Sequence, residues 1–238
     1  MGRSVAHPGV DLLLTVKPII MRIYFHLSPN TTPVPFNYQS ALVGAMHRWL
    51  GHNELHDSIS LYSLSWLSGG VVRRKALDFP GGSTFWISAP DDQMLVRLVS
   101  GVADRWEVRW GMEVERVSIH RTPEFGESQR FVVQSPVLVQ RRDNSGKQSY
   151  FLPGEGQTNE YLTETLQHKM KKAGLNLEAS VVFDPEYKKT KTKLVDYKGI
   201  KIKAALCPIL VSGHPRAVQF AWEVGAGNST GIGFGALK

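Results

Sequence analysis

The chain has a single cysteine, Cys207, among 238 residues. One thiol excludes an internal disulfide and a zinc site built on several cysteines, and such scarcity points to a reducing, cytoplasmic setting. Long apolar runs are lacking too. The longest, 10–20 and 204–211, fall short of the roughly 20 residues a spanning helix needs, and Asp11 and Lys17 interrupt the first. No membrane is expected as a partner. Residues 1–20 also lack the uninterrupted apolar stretch and small-residue cleavage site of a secretory signal, so they are read as an N-terminal extension. Acidic residues are the minority, 21 against 28 Lys and Arg, and the net charge of +7 favours a polyanionic partner.

Hydrophobic residues make up 42% of the chain, enough for one large core or two small ones. Arg22–Leu27 alternates like a strand, and a turn-rich stretch through Pro35 leads to Asn37, which is placed to cap a helix over about Tyr38–Leu50 that Gly51 ends. Leu61–Leu67 and Ser83–Ser88 read as strands. A helix is expected from the Asp91-Asp92 start signal to about Val102, then one long strand over Trp106–Ile119. The order β-α-β-β-α-β is that of a ferredoxin-like module, an antiparallel sheet with both helices on one face.

The second half reads less regularly. Strands are expected at Arg130–Gln140, Ala179–Phe183, Gly199–Leu206, Ala217–Glu223 and Gly231–Leu237, and a helix at Thr158–Ala173. Pro123, Gly126 and a charge cluster give Arg121–Ser128 the composition of a linker. The fold class is therefore α+β: an N-terminal ferredoxin-like module over 21–125 and a second over 126–238.

Five glycines occupy the eleven positions from Gly225 to Gly235. Without Cβ atoms, this backbone can approach a phosphate or another chain segment closely. No Gly-Lys-Ser or Gly-Lys-Thr follows and nothing helical does, which excludes a Walker loop and a dinucleotide fingerprint. The pattern is specific: Gly225-Ala226-Gly227, five residues, then Gly233-Phe234-Gly235, preceded by Glu223-Val224. With Asn37-Tyr38-Gln39, Gly44 and Tyr62-Ser63-Leu64 near the N-terminus, it resembles the RAMP-superfamily endoribonucleases of the Cas6 type, which cut CRISPR repeat transcripts into guide RNAs. The likeness spans essentially 21–238 and implies two tandem RAMP, or RRM-like, modules.

His47, His52 and His56 lie within ten residues. Helical projection puts His47 opposite the apolar stripe, beside Ser40, Gly44 and Gly51. A histidine on an outer helix face is ordinarily just solvated. The resemblance gives it a role, because aligning Asn37 and Gly44 puts His47 and His56 where the family keeps its catalytic pair. It implies attack by a ribose 2′-hydroxyl on its own phosphate, with two imidazoles as general base and acid, leaving a 2′,3′-cyclic phosphate and a 5′-hydroxyl. The lysine such enzymes often place after the second histidine is missing here. Arg48 or the Arg73-Arg74-Lys75 cluster is the candidate cation for the transition state. His52, His56 and Asp57 have a metal-like spacing, but Gly51 ends the helix face it depends on, so neither a metal nor another cofactor is expected.

Positive charge concentrates in two places. Lys169, Lys171 and Lys172 end the expected helix, where they complement its dipole, and lysines crowd 188–203. That second run reads either as a lysine-guarded hairpin edge or as a ribbon that tracks phosphates. The resemblance favours RNA, with Arg48, Arg73, Arg74, Lys75, Lys172, Lys188, Lys189, Lys191, Lys193, Lys201 and Lys203 as contacts. Gly225, Gly227, Asn228, Ser229, Gly233 and Gly235 join them from the glycine-rich loop. Phe85, Trp86, Trp106, Trp110 and Phe220 read as core rather than base-stacking residues, and Cys207 as a buried bystander. The partners implied are CRISPR repeat RNA, precursor and mature, with other CRISPR-associated subunits and a second copy of the chain. A non-catalytic RAMP subunit that grips guide RNA, and a small-molecule-binding ferredoxin-like protein, are the rival readings.

Overall fold

The computed structural model describes residues 21–53 and 59–238. Strand β1 (Met21–Leu27) turns Ile23, Phe25 and Leu27 into the core and Tyr24 and His26 to the other side. Then come α1 (Gln39–Leu50), β2 (Ser63–Leu64), β3 (Val71–Arg73), β4 (Ala76–Asp78), β5 (Ser83–Ser88), α2 (Asp92–Asp104), β6 (Glu107–Arg109) and β7 (Met112–Arg121). The antiparallel sheet runs β2-β5-β1-β7-β6, the ferredoxin-like order extended by β6. Both helices cover one face. Trp49 of α1 stacks on Phe25 at 5.0 Å, and Phe25 stacks on its register partner Phe85, also at 5.0 Å. α2 is capped by the Asp91 carboxylate, which accepts from the backbone N–H groups of Gln93 and Met94. It lies so close to α1 that a Cβ on Gly101 would strike the carbonyl of Trp49.

The second half contains β8 (Ser128–Phe131), β9 (Gln140–Arg142), β10 (Gln148–Tyr150), α3 (Thr158–Lys172), β11 (Ala179–Phe183), β12 (Lys191–Tyr197), β13 (Ile200–Leu206), β14 (Ile209–Gly213) and α4 (Pro215–Val224). Its sheet runs β11-β14-β8 and is continued by the chain's end, since Val132 and Lys238 exchange backbone hydrogen bonds and Gln134 N–H donates to Ala236. The strand order of the first sheet is thereby repeated, with α3 and α4 as its helices. The fold consists of two tandem ferredoxin-like modules of mixed α and antiparallel β structure.

Several elements depart from expectation. Ala217–Glu223 lies within helix α4, not a strand. Nearly every side chain there is buried, which erases the periodicity that separates helix from strand, while Pro215 and the His214 ring that accepts from Arg216 N–H start the helix. The span Trp106–Ile119 is a hairpin, because Trp110 and Gly111 take positive φ and turn the chain. Of the strand expected over 130–140, regular structure ends at Phe131 and resumes only at Gln140, where β9 begins. In between, Val133 and Val137 make single bridges to Leu237 and Ala205 on either side of Pro136. Between Leu61 and Leu67 regular strand is confined to Ser63–Leu64, and 231–237 is mostly a turn. Asn37 does not cap α1; Tyr38 stands at the cap without a side-chain bond.

Candidate functional site

His47 lies in the last turn of α1, half-buried. Gly51, at φ 65°, ends the helix and reverses the chain so that Asn53 comes back beside it. His47 Nδ1 is 3.1 Å from Asn53 Oδ1, and Asn53 Nδ2 donates to the Gly51 carbonyl at 2.7 Å. That second bond fixes the Asn53 amide, so its oxygen faces the ring. A carbonyl oxygen can only accept, so the ring's Nδ1 carries the hydrogen and Nε2 the lone pair, the tautomer suited to a general base. Asn53 is a functional candidate that sequence reading missed; the residue's position just past a helix-ending glycine was the available signal. His56 and Asp57 lie outside the described residues, as does the extension 1–20.

The glycine-rich loop is largely internal. Gly225, Gly227, Gly233 and Gly235 are all buried, while Asn228, Ser229 and Ile232 keep partial exposure. The two Gly-Ala/Phe-Gly brackets lie against each other: Ala226 N–H donates to the Gly235 carbonyl at 2.9 Å, and a Cβ on Gly235 would run into the Ala226 carbonyl. The close approach that glycine permits is thus to the chain's own backbone, which corrects the expectation that these four glycines offer a bare surface to phosphate. Asn228 bolts the loop to the segment leading into β9, its N–H donating to the Leu138 carbonyl and its Oδ1 accepting from Gln140 N–H.

The loop also joins the modules. Thr230 Oγ1 donates to the Tyr62 carbonyl at 2.8 Å, Trp66 Nε1 to Gly233 at 2.6 Å, and Ser63 Oγ to Glu223 at 2.9 Å. Lys169, expected to complement the dipole at the helix end, is fully buried, and its ammonium donates to the carbonyls of Val224 and Gly225 and to Thr230 Oγ1. Burial pulls its pKa down from 10.5 to about 7. Beside the loop, the Arg22 guanidinium is held between the rings of Trp86 and Trp222, 3.6 Å from each, and donates to the Trp222 carbonyl. Glu223 is buried, accepts from Arg216 and Gln219, and has its pKa raised by burial against the pull of Arg216.

Residues 120–238, half of the chain, match the family model described as CRISPR associated protein Cas6, C-terminal. The chain belongs to the Cas6 family. Membership ties it to the processing or binding of CRISPR RNA. Its fold resembles a structure described as a Cas6-related gene from Pyrococcus furiosus, with a TM-score of 0.81 and 20% identity over 92% of this chain and 98% of that one. A structure described as CRISPR associated protein Cas6 gives 0.76 at 21% identity over the same shares. A third, described as an RAMP protein binding different RNA substrates, gives 0.80 at 19%, again over 92% and 98%. A search of curated proteins finds no match.

Against the Cas6 background, the basic residues divide into groups. Arg48 is exposed but donates to the carbonyls of Glu107 and Val108, clamping α1 to β6. Arg73 pairs with Asp78, and Arg74 and Lys75 form the positive-φ tip of the β3–β4 hairpin. Lys172 is exposed at the end of α3. Lys188 Nζ donates to the Pro185 carbonyl. Lys189 is exposed, and Lys191 and Lys193 lie on one face of the β12–β13 hairpin, Lys201 and Lys203 on the other, with Lys201 paired to Asp196. Lys75 and Lys193, 118 positions apart in sequence, line one groove of about 530 Å³. Phe85, Trp86, Phe220 and Cys207 are buried as expected, whereas Trp106 is 48% exposed. No helix among the described residues is long and apolar enough to cross a membrane.

Proposed function

We propose that this chain is a metal-independent endoribonuclease that cuts CRISPR precursor RNA within its repeats, with an N-terminal unit over 21–125 and a C-terminal unit over 126–238. The observation that carries the reading is the His47–Asn53 pair at the C-terminal end of α1 in a Cas6-family fold: an imidazole nitrogen 3.1 Å from an amide oxygen at a half-exposed site. His47 Nε2 takes the proton of the 2′-hydroxyl upstream of the scissile bond. The 2′-oxygen bonds to phosphorus, and the P–O5′ bond breaks. The leaving 5′-oxygen takes a proton from a general acid, the role assigned to His56 from its place in the sequence. A 2′,3′-cyclic phosphate and a 5′-hydroxyl result, and each proton transfer contributes about 10²–10⁴-fold. Exposed lysines of the β12–β13 hairpin, with Lys188 and Lys189 just before it and Lys172 at the end of α3, grip the RNA backbone.

The test is incubation of the purified chain with a repeat-containing transcript in excess EDTA. Cleavage that disappears on a single 2′-deoxy substitution upstream of the cut, and in His47→Ala, supports the reading. Binding without cleavage would make the chain a non-catalytic guide-RNA subunit instead.

A further inference from the structure

The groove of about 530 Å³ between the approach to α1 and the β12–β13 hairpin has the composition of a nucleotide site. Two aromatic rings line it. Phe36 is 53% exposed, and Trp66 is fixed by its bond to Gly233 and by Tyr38 packed edge-on at 6.3 Å. Two cations that also line it, Lys75 and Lys193, have no ion pair among the described residues, whereas Lys201, likewise in the lining, is paired with Asp196. Gln39, the first residue of α1, also lines the groove. It is 2% exposed, and its Oε1 is buried with no hydrogen-bond partner. A buried amide oxygen left in this state is destabilising, and such groups recur where a ligand completes them.

A side-chain amide offers an acceptor and a donor side by side, which matches the N6 amino group and N7 of adenine. Unpaired RNA bases are splayed out, stacked on aromatic rings and read at their edges in this manner. We infer that the groove takes one unpaired adenine nucleotide of the RNA, its base against Trp66 and Phe36, its edge on the Gln39 amide, and its phosphates between Lys75 and Lys193. His47 lies eight positions after Gln39 on α1, about 12 Å at 1.5 Å per residue, so the groove lies within a few nucleotides' reach of that histidine. The inference rests on the RNA-handling reading of the chain but not on catalysis.

The experiment is fluorescence anisotropy of short labelled oligo(A), oligo(U) and oligo(C) with the full chain and with Gln39→Leu and Phe36→Ala. Oligo(A) is expected to bind at least about fivefold tighter than the others, the low end for a bidentate base contact. Gln39→Leu should abolish that preference while retaining binding. Phe36→Ala, at an exposed position, should weaken oligo(A) by about fivefold or more. Equal affinity for the three homopolymers, binding of none, or a preference that survives Gln39→Leu overturns the inference. Removing an unpartnered amide should leave the thermal midpoint of Gln39→Leu at or above that of wild type; should that variant fail to fold, the Phe36→Ala arm decides alone. Cleavage of a repeat transcript is scored separately: an adenine preference without cutting keeps the groove and sinks the nuclease, and cutting without preference does the reverse.

Discussion

His47 and Asn53 face each other across the turn made by Gly51, with Nδ1 of the ring 3.1 Å from the amide oxygen. Asn53 is therefore a positioning residue. Asn53→Ala should slow cleavage roughly 10- to 100-fold, the cost of a misoriented catalytic group. Asn53→Asp would set a carboxylate on the ring and raise its proton affinity, so the acidic limb of the kcat/KM profile should move to higher pH. A purely structural role for Asn53 would leave that limb in place.

Lys169 gives a stability signature. Between its folded pKa of about 7 and the unfolded 10.5, the folded chain binds fewer protons than the unfolded one, so stability should rise with pH across that window. Lys169→Met should flatten the rise. Denaturant midpoints of both proteins at about pH 7 and pH 9.5 measure it; parallel behaviour would mean that the amine keeps its ordinary proton affinity.

Two glycines with positive φ separate backbone strain from collision. A Cβ at Gly146 (φ 83°) would meet nothing within 4 Å, whereas one at Gly235 (φ 60°) would strike the Ala226 carbonyl. Gly146→Ala should cost about 1 kcal/mol, and Gly235→Ala about 3 kcal/mol or more, read by urea unfolding.

The lysine ribbon has its own measurement. Lys191 and Lys193 share a face of the hairpin. If they contact phosphates, replacing both by Gln should lower the slope of log affinity against log salt by roughly 0.7 for each lost contact with single-stranded RNA. An unchanged slope would return the ribbon to the role of a guarded edge.

Much of the first module was legible because its strands and helices bury one face each. β1 alternates, α1 repeats at helical spacing, and Asp91 announces α2. The second module hid α4 because burial on all sides leaves no polar phase to read, and the hairpins at β3–β4, β6–β7 and β12–β13 turn on left-handed residues such as Arg74, Lys75, Trp110 and Lys198 rather than on glycine alone. The glycine brackets stood out as a pattern, yet their purpose did not. Whether a bare backbone meets phosphate or another strand is a matter of tertiary approach, invisible in spacing. Lys169 failed for the same reason: its neighbours Lys171 and Lys172 are solvated, and nothing local distinguishes the buried one.

The guanidinium of Arg22, clasped between an indole from each half of the molecule, makes the two halves poor candidates for independent life. Expressed apart, one fragment would carry a cation shorn of its Trp222 lid and the other an uncovered tryptophan, and each would seek some replacement partner. Domain-by-domain dissection of this chain should accordingly yield aggregation where the intact polypeptide melts as one.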